Sequence, residues 1–103
     1  MPQADIISRS QAAVLGALAG DALCLGVHWE YDVDKLLRTR GRVQTLQDPA
    51  PGSYHKNRGA GQFTHYGDQC LVLLQSVAEK QGFDLPHFHQ AWQELFTDYD
   101  GYM

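Results

Sequence analysis

The most chemically suggestive part of the chain is a polar loop that leads directly into an apolar helix. The loop contributes Thr64, His65, Tyr66 and Asp68, and the apolar run 70–74 follows it. A packed helix that begins at such a cluster holds the polar side chains in fixed positions, as many functional sites require. Hydroxyl and carboxylate oxygens suit a hard cation such as Mg²⁺. We therefore expect Thr64 and Asp68 to bind a metal or, as the structural alternative, to form the turn and the N-cap that start the helix.

Two further carboxylates lie upstream of this loop. Asp21 interrupts an apolar stretch, so its side chain must be hydrogen-bonded or paired, because a bare buried carboxylate is costly. A buried Asp that caps a neighbouring loop and an Asp close to a functional site meet this requirement equally well. Glu30 is a candidate general base or a group just outside a metal's own ligands. The alternative for Glu30 is an exposed side chain beside the start of a helix.

The histidines and serines do not form a recognised catalytic motif. The chain has five histidines, but none of their spacings is typical of a zinc site. His87 and His89 are two positions apart, so on a helix they point to different faces. Segment 53–55 places a hydroxyl beside an imidazole, without the glycine-flanked turn of a serine hydrolase. The sequence therefore predicts neither zinc binding nor a covalent nucleophile.

The elements that position these residues are predicted to be helices. Apolar residues recur at helical spacing in three long segments, and no segment retains a strand pattern. The predicted order is a helix over 11–25 capped by Ser10, a short helix over 35–40 capped by Asp32 or Asp34, a helix over 68–81 that begins at Asp68, and a fourth helix capped by Asp84. Between the second and third lies a long irregular stretch, 43–66. Such stretches are uncommon in compact domains and are often functional.

Composition narrows the class of protein. With 103 residues the chain is one domain or a piece of one. Its 44% hydrophobic and 19% charged residues are typical of globular proteins rather than disordered ones. The net charge is −4 and no strong basic cluster occurs, which argues against a nucleic-acid partner.

The cysteines and the first apolar run indicate the compartment. Cys24 and Cys70 both lie in apolar segments, and we expect them to be reduced core residues of a cytoplasmic protein. The apolar run near the N-terminus is interrupted by Asp21 and is predicted to be too short to span a bilayer. We therefore expect no membrane association.

Three motifs resemble those of the ADP-ribosylglycohydrolase family. They are the segment Gly16–Leu23, the downstream Glu30, and Gly61–Thr64 ahead of an apolar helix. The resemblance covers most of residues 10–80. It implies an all-α fold, an orthogonal helical bundle, in which Mg²⁺ (Mn²⁺ in some members) supports hydrolysis of the glycosidic bond that joins ADP-ribose to a protein side chain. The family includes the glycohydrolase that activates dinitrogenase reductase, as well as crystallin-like relatives.

The resemblance also assigns roles to individual residues. It implies that Thr64 and Asp68 bind the metal and that Glu30 and Asp68 act in catalysis. It also matches Asp21 to the Asp of the family's first motif. We expect Asp21, His65 and Tyr66 to lie just outside the metal ligands; His65 and Tyr66 could instead replace the missing carboxylate as ligands or stack on a nucleotide base. Its implied substrate is an ADP-ribosylated protein or a small molecule that contains ADP-ribose.

The chain departs from the family pattern at its paired Asp residues and in the spacing from Asp21 to Glu30, which is about two residues longer than usual. The family's paired Asp residues follow the Thr directly, whereas here residues 65–67 intervene and only Asp68 remains. The family's second acidic motif lies far downstream, so we expect residues 1–103 to be the N-terminal portion of one larger domain. The partner would be the remainder of that domain or a second chain. Two alternatives stay open: a non-catalytic relative, and a small helical interaction module anchored by Trp92, Phe96 and Tyr99.

Overall fold

The computed structural model describes residues 2–102, and within them all regular structure is helical. The helices are α1 (Gln3–Cys24), a short 3-10 helix (Leu25–Val27), α2 (Val33–Thr39), α3 (His65–Lys80) and α4 (Leu85–Phe96). The prediction of an all-α fold with about four helices is confirmed. Residues 40–64, between α2 and α3, contain no helix or strand.

Helix α1 begins earlier than predicted. Its first residue is Gln3, with Pro2 at the N-cap, so the prediction that Ser10 caps the helix is wrong. The Ser10 hydroxyl instead donates to the carbonyl of Ile6 at 2.8 Å. A serine inside a helix can satisfy its hydroxyl on the preceding turn, and no proline or glycine precedes Ser10 within α1 to stop that turn from forming.

The capping signals of α2 and α4 are confirmed. The Asp32 carboxylate accepts from the backbone N–H of Lys35 at 3.0 Å, and the Asp84 carboxylate accepts from that of His87 at 2.9 Å. Each bond satisfies a donor that the first helical turn leaves free. Gly41 follows α2 with a φ of 59°, a left-handed conformation that glycine adopts without strain.

Helix α3 also begins earlier than predicted. It starts at His65 because the Thr64 hydroxyl accepts from the backbone N–H of Tyr66 at 3.2 Å and serves as the N-cap. The prediction that α3 begins at Asp68 is therefore wrong, and Asp68 lies in the first turn instead. An acidic side chain in that position still interacts favourably with the positive end of the helix dipole.

The helices form a flat layer. Helix α3 packs against α1 on one side and against α4 on the other, and the principal extents of the molecule are 45 × 39 × 18 Å. The radius of gyration is 16.3 Å, whereas a compact domain of this length has about 13 Å. Among the described residues the buried hydrophobic ones are Ala22 and Leu25. The layer therefore leaves most apolar side chains partly exposed.

An apolar groove runs between α1 and α3. Its volume is about 350 Å³. The lining residues include Val14, Ala17 and Leu18 on α1 and Leu73, Leu74 and Val77 on α3. Cys70 also lines this groove, and Cys24 and Cys70 are both free thiols. Both are exposed, so the expectation that they lie in the core is wrong.

One helical stretch is long and apolar enough to cross a membrane by length and composition. It is Gln3–Val27, with 25 residues and a hydropathy of 1.5, so the expectation that this run is too short was wrong. Core helices of soluble proteins and signal sequences have the same properties, and 11% of the apolar window is buried here. The stretch also carries Asp21, whose carboxylate bonds to Thr64. A single such helix is weak support for a membrane location.

Candidate functional site

The carboxylate of Asp21 fixes the start of α3. Its Oδ2 accepts from the backbone N–H of Thr64 at 2.9 Å, and its Oδ1 accepts from the Thr64 hydroxyl at 2.6 Å. Thr64 is 1% exposed and Asp21 is half-buried, so these are partly buried, charge-assisted bonds. The requirement that Asp21 be hydrogen-bonded is met. The carboxylate also lies where the α3 dipole favours negative charge.

Gly67 allows this close approach. A Cβ atom on Gly67 would collide with Oδ2 of Asp21 and would lie 2.7 Å from Cβ of Phe63. Any larger residue would push α1 and the start of α3 apart. Gly67 is one of the three residues that lie between Thr64 and Asp68 in the sequence. It is needed for the contact between the two helices.

Asp68 belongs to a second network, formed with the long loop and the C-terminal segment. Its Oδ2 accepts from Nη2 of Arg58 at 3.2 Å and from the Tyr99 hydroxyl at 2.5 Å. Burial, followed by this hydrogen bond to Asp68, raises the pKa of Tyr99 to about 12. Arg58 also pairs with Asp100 at 3.8 Å and lies 5.3 Å from the centre of the Tyr99 ring. Asp68 thus joins three segments of the chain.

Glu30 lies in a third, more exposed network. Its Oε1 accepts from the backbone N–H of Asp32 at 3.0 Å, and its Oε2 pairs with Nζ of Lys35 at 3.0 Å. The first of these bonds, and then the lysine, lower the pKa of Glu30, so the carboxylate is ionised at neutral pH. No hydrogen bond joins Glu30 to Thr64 or Asp68 in the described part of the chain. The predicted site residues are therefore divided among separate networks.

Glu30 faces a groove that we call the aromatic groove. Its volume is about 460 Å³, within the range of small-molecule sites. Its functional groups are the rings of Trp29 and Tyr54, the Glu30 carboxylate, the Lys35 ammonium and the Ser53 hydroxyl. The two rings meet edge to face, with their centres 5.2 Å apart.

His28, His55 and His65 meet beside the aromatic groove, and we call them the histidine cluster. One ring nitrogen from each lies within 4.8 Å of the other two. His55 is 0% exposed and His65 is 8% exposed. Burial, and then the neighbouring His28 and His65, lower the pKa of His55 to about 4. Burial also lowers the pKa of His28 and of His65, so all three imidazoles are neutral at neutral pH.

Trp29 connects the cluster to the aromatic groove. Its ring lies 5.0 Å from that of His28 and 5.1 Å from those of His55 and His65. The Trp29 backbone has a φ of 66°, a left-handed conformation that is unusual for a bulky residue. Such strain persists only where the surrounding structure imposes it, and it often marks a functional position.

Of the residues predicted to surround the metal ligands, one belongs to the histidine cluster and a second packs against it. His65 is a member, and the Tyr66 ring packs against the His65 ring with their centres 4.1 Å apart. Sequence reasoning missed His28 and His55, because the three histidines come from three separate segments. The available signal was the pairing of each with an adjacent aromatic residue, Trp29 or Tyr54.

Comparison with known proteins assigns the chain to one family. The sequence profile described as ADP-ribosylglycohydrolase matches residues 2–101. Crystallin J1B of Tripedalia cystophora is 31% identical over 106 aligned positions, which cover 97% of this chain and 32% of that protein. Crystallin J1A of the same organism is 32% identical over 98 positions, which cover 89% of this chain and 30% of that protein. The chain thus spans about a third of the length of these curated relatives. No solved structure matches it significantly.

Proposed function

The chain belongs to the ADP-ribosylglycohydrolase family, and from this premise we propose that it takes part in hydrolysing the glycosidic bond of ADP-ribosylated substrates. The structural observation that supports the proposal is the aromatic groove. ADP-ribose offers an aromatic base, ribose hydroxyls and a negatively charged diphosphate. The groove presents a complementary group for each of these parts.

Each side chain of the groove has a role in this proposal. The Trp29 and Tyr54 rings offer faces on which an adenine can stack. The Lys35 ammonium attracts the diphosphate. The Glu30 carboxylate accepts hydrogen bonds from ribose hydroxyls, and its lowered pKa keeps it in the accepting form. As a general base, Glu30 would take a proton from the attacking water.

The Mg²⁺ requirement stays a prediction. The Thr64 hydroxyl donates to Asp21, and Oδ2 of Asp68 is shared by Arg58 and Tyr99. Mg²⁺ needs near-octahedral oxygen ligands, and a carboxylate that is already paired with a guanidinium competes poorly for it. The oxygens of Thr64 and Asp68 therefore do not fit the ion as they stand. A site for Mg²⁺ or Mn²⁺ would need further ligands, and we assign no catalytic step to it.

The proposal includes a partner for the apolar groove. We propose that further helices of the same domain cover this groove. Two observations support this: apolar side chains on α1 and α3 are exposed, and the chain spans about a third of the length of its relatives. Residues 1–103 would then be the N-terminal portion of one domain. A cytoplasmic location is part of the same proposal.

The non-catalytic alternative has one structural observation in its favour. Thr64 and Asp68, the predicted metal ligands, are both used to hold the fold together. The two relatives also carry the name crystallin rather than that of an enzyme. A scaffold that binds ADP-ribose without cleaving it would use the aromatic groove alone.

Tryptophan fluorescence tests whether ADP-ribose binds in the aromatic groove. The chain has two tryptophans, so Trp92→Phe leaves Trp29 as the only indole. We expect ADP-ribose to quench the fluorescence of this variant saturably, because the adenine stacks on Trp29. Trp29→Phe, with Trp92 retained, is the matched control and should show no quenching. Quenching that is absent from the first variant or undiminished in the second would contradict the proposal.

Hydrolysis is tested on the longest native chain. We expect release of ADP-ribose from a modified protein and loss of that release in Glu30→Gln. Asp34→Asn, an exposed acidic neighbour, is the control and should leave the rate unchanged. Binding without release would support the non-catalytic alternative.

A further inference from the structure

The histidine cluster brings together three residues that no motif connects. His28 follows the 3-10 helix, His55 lies in the long loop, and His65 is the first residue of α3. One ring nitrogen of each lies within 4.8 Å of the others. In the described part of the chain, these three histidines form a group of side chains that are close enough to bind one metal ion. Three loops or helix ends that converge in this way form a small nitrogen-lined site.

One nitrogen–nitrogen distance in the cluster is longer than that of a usual hydrogen bond. Nδ1 of His28 lies 3.4 Å from Nε2 of His55, beyond the usual 2.7–3.2 Å range for an N–H donor. Two nitrogens bound to one tetrahedral zinc at about 2.0–2.1 Å are roughly 3.3–3.4 Å apart. The pair therefore has the separation of two ligands to a single ion. His65 completes the set with a modest movement of its ring.

The cluster also contains buried nitrogens without partners. Nδ1 of His55 and Nδ1 of His65 have no hydrogen-bond partner within residues 2–102. Both side chains are more than nine-tenths buried. Buried polar atoms are nearly always paired, because an unpaired one keeps the full cost of losing water. Because Nε2 is the His55 nitrogen that faces His28, a bound cation would take that nitrogen, and the unpaired Nδ1 of His65 is available as a further ligand atom.

The surrounding charges favour a cation. The Asp21 carboxylate acts electrostatically on all three imidazoles. Arg58 is the positive neighbour of His55, but it is paired with Asp68 and Asp100. The negative charge of Asp21 would partly offset that of a divalent ion.

We propose that His28, His55 and His65 bind one Zn²⁺ ion. Neutral imidazoles are ligands that zinc prefers, whereas Mg²⁺ prefers oxygen. Three protein ligands leave the fourth tetrahedral position for water or for an oxygen of a bound molecule, as in zinc sites that carry out chemistry. The site is separate from the predicted Mg²⁺ ligands and does not depend on the hydrolase proposal.

Titration of the metal-free full chain tests this site. We expect one equivalent of Zn²⁺ to bind in calorimetry, with no comparable binding of Mg²⁺. Co²⁺ in its place should give the intense visible absorption of a four-coordinate ion without a thiolate charge-transfer band. A thiolate band would assign the metal to Cys24 or Cys70 and would overturn the proposal, as would a six-coordinate spectrum.

Two variants and one control complete the experiment. His28→Phe keeps an aromatic ring in the packing but removes the ligand nitrogens, and we expect affinity for Zn²⁺ to fall by at least about tenfold. His65→Phe should have the same effect, and circular dichroism checks that each variant is folded. His89→Ala, at an exposed histidine on α4, should bind like the parent chain. Unchanged affinity in a folded His28→Phe would overturn the proposal.

Discussion

The start of α3 and the groove between α3 and α1 have opposite patterns of burial. At the start of α3 the buried residues are polar, with His55, Thr64 and His65 all less than 9% exposed. Along the groove the exposed residues are apolar, with Val14 at 41% and Leu74 at 39%. A folded domain normally shows the reverse arrangement in both places.

This contrast indicates how the two regions are stabilised. The polar region is held by specific bonds, such as the pair from Thr64 to Asp21, and by packed aromatic rings. Within the described residues, the buried side-chain nitrogens left without a hydrogen-bond partner are Nδ1 of His55, Nδ1 of His65 and Nε of Arg58. The groove has no comparable internal partner, and exposed apolar patches of this kind mark interaction surfaces. The polar region is thus stabilised by contacts within the chain, whereas the apolar groove is exposed and can be covered by a further surface.

The largest expected effect comes from the same substitution made at a buried leucine and at an exposed one. Leu25→Ala removes a side chain that is 1% exposed, and we expect it to lower the free energy of unfolding by about 3 kcal/mol. Leu15→Ala makes the same change at the exposed apolar face and should change that free energy by less than about 0.5 kcal/mol. Chemical denaturation measures both. An equal loss of unfolding free energy in the two variants would show that Leu15 is buried in solution, and it would contradict the contrast between buried and exposed positions.

The second effect tests the polar region. Asp21→Ala leaves the backbone N–H and the hydroxyl of Thr64 buried without acceptors, at a cost of about 2 kcal/mol. Asp5→Ala, at an exposed position of the same helix, should cost less than about 1 kcal/mol. Thermal unfolding of the two variants under matched conditions gives the difference. A loss in Asp5→Ala as large as that in Asp21→Ala would mean that the bonds to Thr64 contribute little.

A third test uses two glycines and expects opposite signs. Gly67→Ala should destabilise the chain by roughly 1–3 kcal/mol, because its Cβ collides with Asp21. Gly16→Ala lies in the middle of α1 with nothing within 4 Å of its Cβ, and it should stabilise by about 0.5–1 kcal/mol. Urea midpoints report both. Destabilisation by Gly16→Ala would indicate that another surface packs closely against α1.

The smallest effect on stability concerns the apolar groove. Leu74→Gln should change the free energy of unfolding of the monomer by less than about 0.5 kcal/mol, since the side chain is 39% exposed. Where copies of this chain associate through the uncovered groove, the same change should weaken that association, because it places a polar group there. Sedimentation of parent and variant at several concentrations measures the effect. Unchanged association in Leu74→Gln would show that the groove is not a contact surface.

Local signals in the sequence were sufficient for much of the fold. Asp84 was predicted as the cap of α4, and its bond to His87 confirms this. Asp32 and Asp34 were both candidates for the cap of α2, and the bond to Lys35 selects Asp32. The predicted starts of α1 and α3 were wrong because in each case the residue chosen as the cap lies inside the helix. Helix α3 begins at the earlier candidate, Thr64, and Asp68 lies in its first turn. Helix α1 begins at Gln3 without a side-chain cap, so Ser10 gave no information on its start.

The candidate site was less accessible to sequence reasoning. Asp21 was recognised as a carboxylate that needs a partner, but the partner, Thr64, lies 43 residues away. His28 and His55 are 27 residues apart, with α2 and much of the long loop between them. The conformation of the long loop brings these two histidines together, and no helical or strand periodicity in the sequence predicts that conformation. Residues that act through tertiary contact are therefore the ones that spacing rules miss.

The position of Tyr102 links the C-terminal segment to the histidine cluster. Its ring packs 4.5 Å from that of His65 and 5.8 Å from that of Trp29. Tyr102 is 37% exposed, so it covers the cluster in part rather than sealing it. The surroundings of the three histidines therefore depend on the segment after α4 as well as on the segments that carry the histidines. Shortening the chain before Tyr102 would remove both ring contacts and alter the site without changing any of its nitrogens.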